Sequence, residues 1–229
     1  MTIVAFSGVD GSGKSTQIEL LRAALERAGR DPVVFWFRPG YSDLLNTLKG
    51  LVRRARPGAL PTAEKKEARE RAFSRPWVRW AWVGMALTDT VFHLGLWLRL
   101  QSVRGKVVLC DRYLFDALLD LELRFPESRH LCEALAPALR RLLPRPDLWV
   151  FLSVSSETMA ARLAAKDEPF PDPEELRQAR YKRYLQWAEG GEAELVDAEA
   201  SVAQVHERIL DLLAQRTGLV LEPVAEAAP

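Results

Sequence analysis

The stretch GVDGSGKST, Gly8 to Thr16, packs three glycines, a lysine and three hydroxyl side chains into nine residues and fits G-x-x-x-x-G-K-[ST]. Such a loop suits a polyphosphate. To approach bulky anionic oxygens, a backbone must turn its N–H groups inward, and Gly8, Gly11 and Gly13 permit the dihedrals and the close approach that a Cβ would block. Lys14 then brings a point charge to the β- and γ-phosphates. Ser15 offers a hydroxyl to Mg²⁺, and a helix starting there points its N-terminus at the anion. An apolar run, TIVAFS, stands directly before the loop and an amphipathic stretch directly after it, as that reading requires.

A loop of this kind is shared by switch GTPases, ATPases and small-molecule kinases. Further residues separate them. Asp111 and Arg112 follow the apolar run KVVLC. An Asp at the carboxyl end of a parallel strand lies where it can orient a Mg²⁺ water or an acceptor group, and an adjacent Arg can fork onto a phosphate. An N-K-x-D base-reading motif does not occur in the sequence, which weighs against a GTPase switch. Between Ala161 and Glu189, a helix, a short charged loop and a second helix carry Arg162, Lys166, Arg177, Arg180, Lys182 and Arg183. A phosphoryl-transfer enzyme must exclude water while neutralising charge, and a mobile cover bearing cations does both.

The elements that must position these residues are legible as five short apolar runs: Thr2 to Ser7, Pro32 to Phe37, Lys106 to Cys110, Asp147 to Val154 and Ala193 to Asp197. Most are continuous rather than alternating, as strands covered on both faces are. They alternate with helical patterns, which predicts an α/β fold with a parallel sheet and right-handed crossovers. Ile18, Leu21, Leu25 and Ala28 form one stripe, and Gly29 stops that helix. Asp172, Pro173 and Glu175 read as the capped start of a helix running to about Glu189. Ser201 and Gln204 open another, bearing Val202, Val205, Ile209 and Leu212 on one face. The tail after Gly218 has no periodicity and is expected to fray. The charged segment from about 53 to 76 reads as a surface insertion.

Composition narrows the class. The 229 residues suit one domain, about 1–216, with a tail at 217–229. Lys plus Arg number 32 against 31 Asp plus Glu, so nothing in the net charge calls for nucleic acid or an anionic membrane. Trp77 to Leu100 has the length of a membrane span, but Arg79, Asp89, His93 and Arg99 interrupt it, and a helix of a soluble core is expected instead. Cys110 and Cys132 have no metal-ligand spacing and read as reduced core residues. The N-terminus lacks a signal-peptide pattern, and the cytoplasm is the expected compartment.

Taken together, these residues resemble the thymidylate kinase family of P-loop nucleoside monophosphate kinases. The similarity covers FSGVDGSGKSTQIELLRAALERAG with its acidic loop residue Asp10, ALTDTVFH, VVLCDRY, RPDLWVFLSVSSETMAARL, YLQWAE and LVDAEASVAQVHERI. It runs from about Ile3 to Leu213. The resemblance implies a P-loop three-layer sandwich with a five-stranded parallel sheet and a short lid at about 163–173. It implies ATP and Mg²⁺ as cofactors, a homodimer, and transfer of the γ-phosphoryl to a nucleoside monophosphate, dTMP first. On this chain, ATP would lie on Gly8 and Asp10 through Ser12, Gly13, Lys14, Ser15 and Thr16, with Arg162, Ala198 and Ser201 near the adenine side. Asp10 would face the acceptor sugar, Asp111 and Ser15 the metal, and Lys166 in the lid the transferring group. Arg38, Asp89, Thr90, His93, Arg112 and Tyr113 would form the acceptor site, with Arg112 on its phosphate. Gly11 stands where one branch has a basic loop residue, so lid cations would supply the transition-state charge, as in the bacterial branch.

Departures from the family pattern keep the acceptor open. R-E-P-G-G is reduced to Arg38, Pro39 and Gly40. Thr90 stands where an Arg is expected, and Asp120-Leu121 where a Tyr-Gln pair is usual. The latter two sites help read thymine in the family, and unmatched buried groups are how a base-reading site rejects analogues. Another nucleotide, a nucleoside or a sugar-like metabolite therefore stands beside dTMP, and a nucleotide-binding regulatory protein beside an enzyme. Trp77, Trp80, Trp82, Phe92 and Trp97 are expected to pack the core or a dimer face, or to enlarge the acceptor pocket.

Overall fold

The computed structural model describes residues 2–39, 71, 73–165 and 174–224. The strands are β1 (Thr2–Ser7), β2 (Pro32–Trp36), β3 (Val107–Asp111), β4 (Leu148–Ser153) and β5 (Glu194–Asp197). They pair in parallel in the order β2-β3-β1-β4-β5. Each apolar run read from the sequence is one of these strands, with ends shifted by a residue or so, as boundaries usually are. The chain winds from β1 to one side of the sheet through β2 and β3, then to the other through β4 and β5. A crevice therefore opens at the carboxyl end of β1, where the order reverses.

Period-two alternation decides which residues face which layer. On one face, Val4 and Phe6 of β1 and Leu109 of β3 pack with Leu21 and Leu25 of α1 (Lys14–Arg27) and Ile209 and Leu213 of α8 (Val202–Thr217). On the other, Ile3, Ala5, Val108 and Cys110 pack against Leu94, Leu98 and Leu139. Each such fully buried aliphatic side chain contributes about 1.5–3 kcal/mol relative to exposure. Cys110 and Cys132 are both free and buried, as expected of reduced core residues.

α1 ends where Gly29 adopts φ +70. Ser201 and Gln204 form the expected capping box at the start of α8, and Gly218 closes it at φ 71. The tail is irregular beyond that point, yet it does not simply fray. Leu221 is buried and Val224 packs on the core, so apolar residues without helical spacing still find the α1/α8 layer.

The remaining helices are α2 (Pro76–Thr90), α3 (Leu98–Val103), α4 (Leu114–Arg124), α5 (Arg129–Leu142), α6 (Ser156–Ala165) and α7 (Glu174–Glu189). A π-helical stretch, Val91–Trp97, joins α2 to α3 without a break. The Trp-rich segment is thus one continuous helical rod, and no described helix is long and apolar enough to cross a membrane. Its aromatics divide. Trp82 and Trp97 pack against the core clusters, whereas Trp77, Trp80 and Phe92 are exposed, as are the aliphatic Leu96 and Leu100 at helical spacing after Phe92. Most of the charged insertion, residues 53–70 and 72, lies outside the described residues. At its described end, Phe73 meets Trp82 and Phe125 edge-on.

Candidate active site

The crevice is floored by the glycine-rich loop. The chain leaves β1 through Gly8 at φ +147, where a Cβ would stand 2.8 Å from Ser12 Oγ. Gly13 is left-handed at φ 92 and gives α1 no side-chain cap, so the first N–H groups of the helix are not satisfied by a capping side chain. They border a mostly polar cavity of about 180 Å³ lined by Asp10, Lys14, Ser15, Thr16, Asp111 and Arg112, among others. An uncapped helix start beside such a cavity has the geometry to receive an anion.

Lys14 is folded back onto the loop, its Nζ donating to Gly8 O and Val9 O at 2.9 Å each. Burial, and then the guanidinium of Arg112, bring its pKa down to about 8; Asp10, Asp111 and Asp116 pull the other way without restoring it. The folded value lies below the unfolded one. As pH rises past about 8, the native state loses this proton first, and the group favours folding increasingly up to its unfolded value. A bound polyphosphate acts oppositely and holds the proton on. Binding of ATP is therefore expected to take up a proton near pH 8 and to weaken as pH rises above it. Calorimetry in buffers of different ionisation enthalpy reads both effects, and an affinity unchanged between about pH 7 and 9.5 would contradict them.

Two carboxylates share the cavity and are shifted in opposite directions. Burial pushes Asp10 up, but Arg112 and Lys14 outweigh it and hold it below the usual range. Burial pushes Asp111 up, and Lys14 and Arg112 only partly compensate. Asp111 Oδ1 is buried with no hydrogen-bond partner among the described residues. An orphaned carboxylate oxygen on a residue that lines the same cavity as Ser15 offers, with the Ser15 hydroxyl, hard-oxygen donors of the kind Mg²⁺ takes when phosphates and waters complete its shell. Trp36, paired in register with Asp111, is the one apolar side chain among the described residues lining this cavity, and it is 53% exposed.

Arg112 is the only non-glycine at positive φ (+77) among the described residues. Its Nη2 donates to Asp10 Oδ1 at 2.7 Å, so the Asp-Arg pair after β3 meets the loop directly. Its amide donates to Phe6 O. That left-handed turn sends the next residue away. Tyr113 is not among the residues lining the phosphate cavity; its ring lies buried, edge-on to Trp149, and its hydroxyl donates to Pro144 O. It borders a different cavity of about 410 Å³ near the opposite, amino-terminal ends of β4 and β5.

Other acceptor-side residues are spread over several elements. Arg38 follows β2 and lies 3.5 Å from Asp120 of α4, which also pairs with Arg180 of α7. His93, on the π-helical stretch, has Nδ1 2.9 Å from Asp89 Oδ1, so that nitrogen carries the proton. Phe35 stacks on His93 and on Trp97, while Phe37 lies beside His93. Thr90 is buried, its hydroxyl committed to Ala86 O in its own helix.

On the other side of the loop, Arg162 of α6 donates to Ala198 O at 2.9 Å and approaches Gly11 O at 3.5 Å, bridging the loop to the turn after β5. Glu199 holds that turn on the start of α6 by accepting from Ser155 N and Thr158 Oγ1. Ser201 uses its hydroxyl in the cap of α8. Of the lid expected at about 163–173, residues 163–165 are the last of α6, and Lys166 with the rest lies outside the described residues. Reasoning from sequence passed over Trp36, Asp116, Arg180 as a partner of Asp120, and Tyr184. Only Asp116 carried a local signal, standing one helical turn after Arg112.

The match to known proteins agrees with this arrangement. A family model described as thymidylate kinase matches residues 6–65 and 93–209. A probable thymidylate kinase of Pyrococcus abyssi (strain GE5 / Orsay) is 28% identical over 213 residues, covering 92% of this chain and 94% of that protein. One of Thermococcus gammatolerans (strain DSM 15229 / JCM 11827 / EJ3) is 27% identical over 217 residues, covering 93% and 95%. A thymidylate kinase of Bifidobacterium longum (strain DJO10A) is 35% identical over 116 residues, half of this chain and 48% of its own. With a five-stranded parallel sheet, a phosphate loop at its switch point, and a family match spanning most of its length, the chain belongs to the thymidylate kinase family.

Proposed function

We propose that this chain, a phosphotransferase by family, moves the γ-phosphoryl of ATP to the phosphate of dTMP, giving ADP and dTDP. The observation that carries the reading is the meeting of Lys14, Asp10, Asp111 and Arg112 around one cavity at the start of α1. The β- and γ-phosphates would replace Gly8 O and Val9 O as partners of Lys14 and lie against the N–H groups of residues 11 to 16. Arg162 and the turn at Ala198 to Ser201 would flank the adenine, and Lys166 would reach the transferring group from the lid. Arg112 would grip the acceptor phosphate, with Arg38 as a second cation, and Asp10 would face the acceptor sugar. Asp89, Thr90 and His93 would form the wall of the acceptor site, with Phe35 and Phe37 beside it. Ser15 and Asp111 would hold Mg²⁺, which supplies charge neutralisation on the β- and γ-oxygens when bound.

In the reaction, an oxygen of the acceptor phosphate attacks the γ-phosphorus in line. The bond to the bridging oxygen of ADP breaks, and that oxygen leaves with the electron pair. The transition state is loose, so positioning and charge spreading carry the catalysis. The exposed stripe of Trp77, Trp80, Phe92, Leu96 and Leu100 supports a homodimer through the Trp-rich rod, since a water-facing apolar stripe of this size is costly to leave bare. Free buried cysteines suit the reducing cytoplasm.

One observation favours a second acceptor. Thr90 is tied to its own helix and Asp120 to Arg180 and Arg38, so two positions of the base-reading region are committed to internal bonds. A panel of dTMP, dUMP, dCMP, AMP and thymidine, scored by ADP release, decides between them. The expected result is dTMP turnover well above the acceptor-free rate. Turnover of another panel member in preference to dTMP replaces the acceptor, and ATP binding with no acceptor dependence at all would make the protein a nucleotide-binding regulator.

A further inference from the structure

Asp116 is 1% exposed and stands one helical turn after Arg112. Its Oδ2 accepts from Ser7 Oγ at 2.6 Å and from the Tyr113 amide at 2.9 Å. Its Oδ1 accepts from the Tyr184 hydroxyl at 2.5 Å and lies 4.0 Å from Arg112 Nη1. Ser7 is itself oriented by the Trp149 indole N–H at 2.9 Å. The carboxylate thus gathers β1, the start of α4 and α7 on one point.

Neutral donors fill three of its positions, and none of them cancels its charge. A buried carboxylate requires an opposite charge, and Arg112 is the nearest. The dependence is mutual. Arg112 Nη1 is buried and has no hydrogen-bond partner among the described residues, while Nη2 is held by Asp10. The backbone is pinned on both sides of the strained residue as well. The Arg112 amide is bonded to Phe6 O, and the next amide, of Tyr113, to Asp116. A non-glycine residue stays in the left-handed region only where its surroundings over-determine it.

We propose that Asp116 is a positioning residue for Arg112. It holds the Arg112 backbone in the left-handed turn and aims the guanidinium into the cavity. Through Tyr184 it ties that aim to α7, the helix that follows the lid segment. The proposal rests on the reading that Arg112 grips the acceptor phosphate.

The test is a double-mutant cycle on dTMP affinity, read by titration calorimetry, with ATP affinity measured alongside. Asp116→Asn keeps the shape of the side chain and removes its charge. It is expected to weaken dTMP binding roughly tenfold while leaving ATP binding within about twofold. In the Arg112→Ala background the same substitution is expected to cost nothing further, because its effect passes through Arg112. An additive loss would reduce Asp116 to a structural role and overturn the proposal. If Arg112→Ala weakens dTMP binding and Asp116→Asn does not, the proposal fails and the reading of Arg112 stands. If Arg112→Ala leaves dTMP affinity unchanged, or the unmutated protein does not bind dTMP, both fail together. Tyr184→Phe removes one of the bonds and keeps the carboxylate. Should Asp116→Asn not fold, it serves in the same cycle, with a smaller loss expected in the same direction and additivity again overturning the proposal.

Discussion

Lys14→Ala is expected to abolish phosphoryl transfer, lowering kcat by roughly 10³-fold or more, the scale on which charged groups act on a transferring phosphoryl. The fold should survive. Among the described residues Lys14 Nζ bonds only two loop carbonyls, Gly8 O and Val9 O, beside a cavity open to water that can take its place. Moreover, the depressed pKa of Lys14 shows that the folded protein carries its charge at a cost. The variant should therefore melt at the same temperature as the parent or slightly above it. Steady-state ADP release and a thermal melt followed by circular dichroism check the two halves. Retained turnover in a folded Lys14→Ala protein would remove the basis of the proposed function.

The second large effect lies across the cavity. Arg112→Ala is expected to lower kcat/KM for the acceptor by about 10²–10³-fold, since it deletes a charge-assisted contact to a phosphate in a partly desolvated site. KM for ATP should change little, because on the proposed reading the nucleotide phosphates would lie on the loop. Arg112→Gly separates chemistry from backbone strain. Glycine tolerates φ +77 where alanine does not, so the Gly variant should be more stable than the Ala variant by about 1 kcal/mol and equally inactive. Equal melting temperatures for the two would argue that the turn at Arg112 is unstrained. An unchanged kcat/KM in either would remove Arg112 from the acceptor site.

How much of this was legible beforehand differs by kind of feature. The inner strands β1, β3 and β4 were readable because burial on both faces leaves continuous apolar runs, and the edge strands β2 and β5 because they keep short apolar runs although Val34, Trp36 and Leu195 are exposed. The phosphate loop was readable because its glycines, lysine and hydroxyls act within nine consecutive residues. The caps at Ser201 and Gly218 are local for the same reason. Tyr113 shows where adjacency misleads. It follows Arg112 directly, yet one left-handed residue turns it into the core beside Trp149. The Trp-rich segment shows where composition misleads. Its aromatics look alike in sequence, and only the rotation of the helical rod, with its π-helical stretch, decides that Trp97 is packed and Trp77 exposed.

By itself, the sequence determined the α/β alternation, the glycine-rich loop at the start of α1 and the Asp111-Arg112 pair after β3, because each depends on neighbours a few residues away. The tertiary structure alone decided that Asp116 would collect Ser7 and Tyr184, from 109 and 68 residues away, and that Arg38 and Arg180 would share Asp120. The reason is physical. Burial makes charges such as Asp116 and Arg180 expensive until a partner arrives, and which partner arrives is set by the order in which a parallel sheet stacks its strands and helices, an order no single segment encodes.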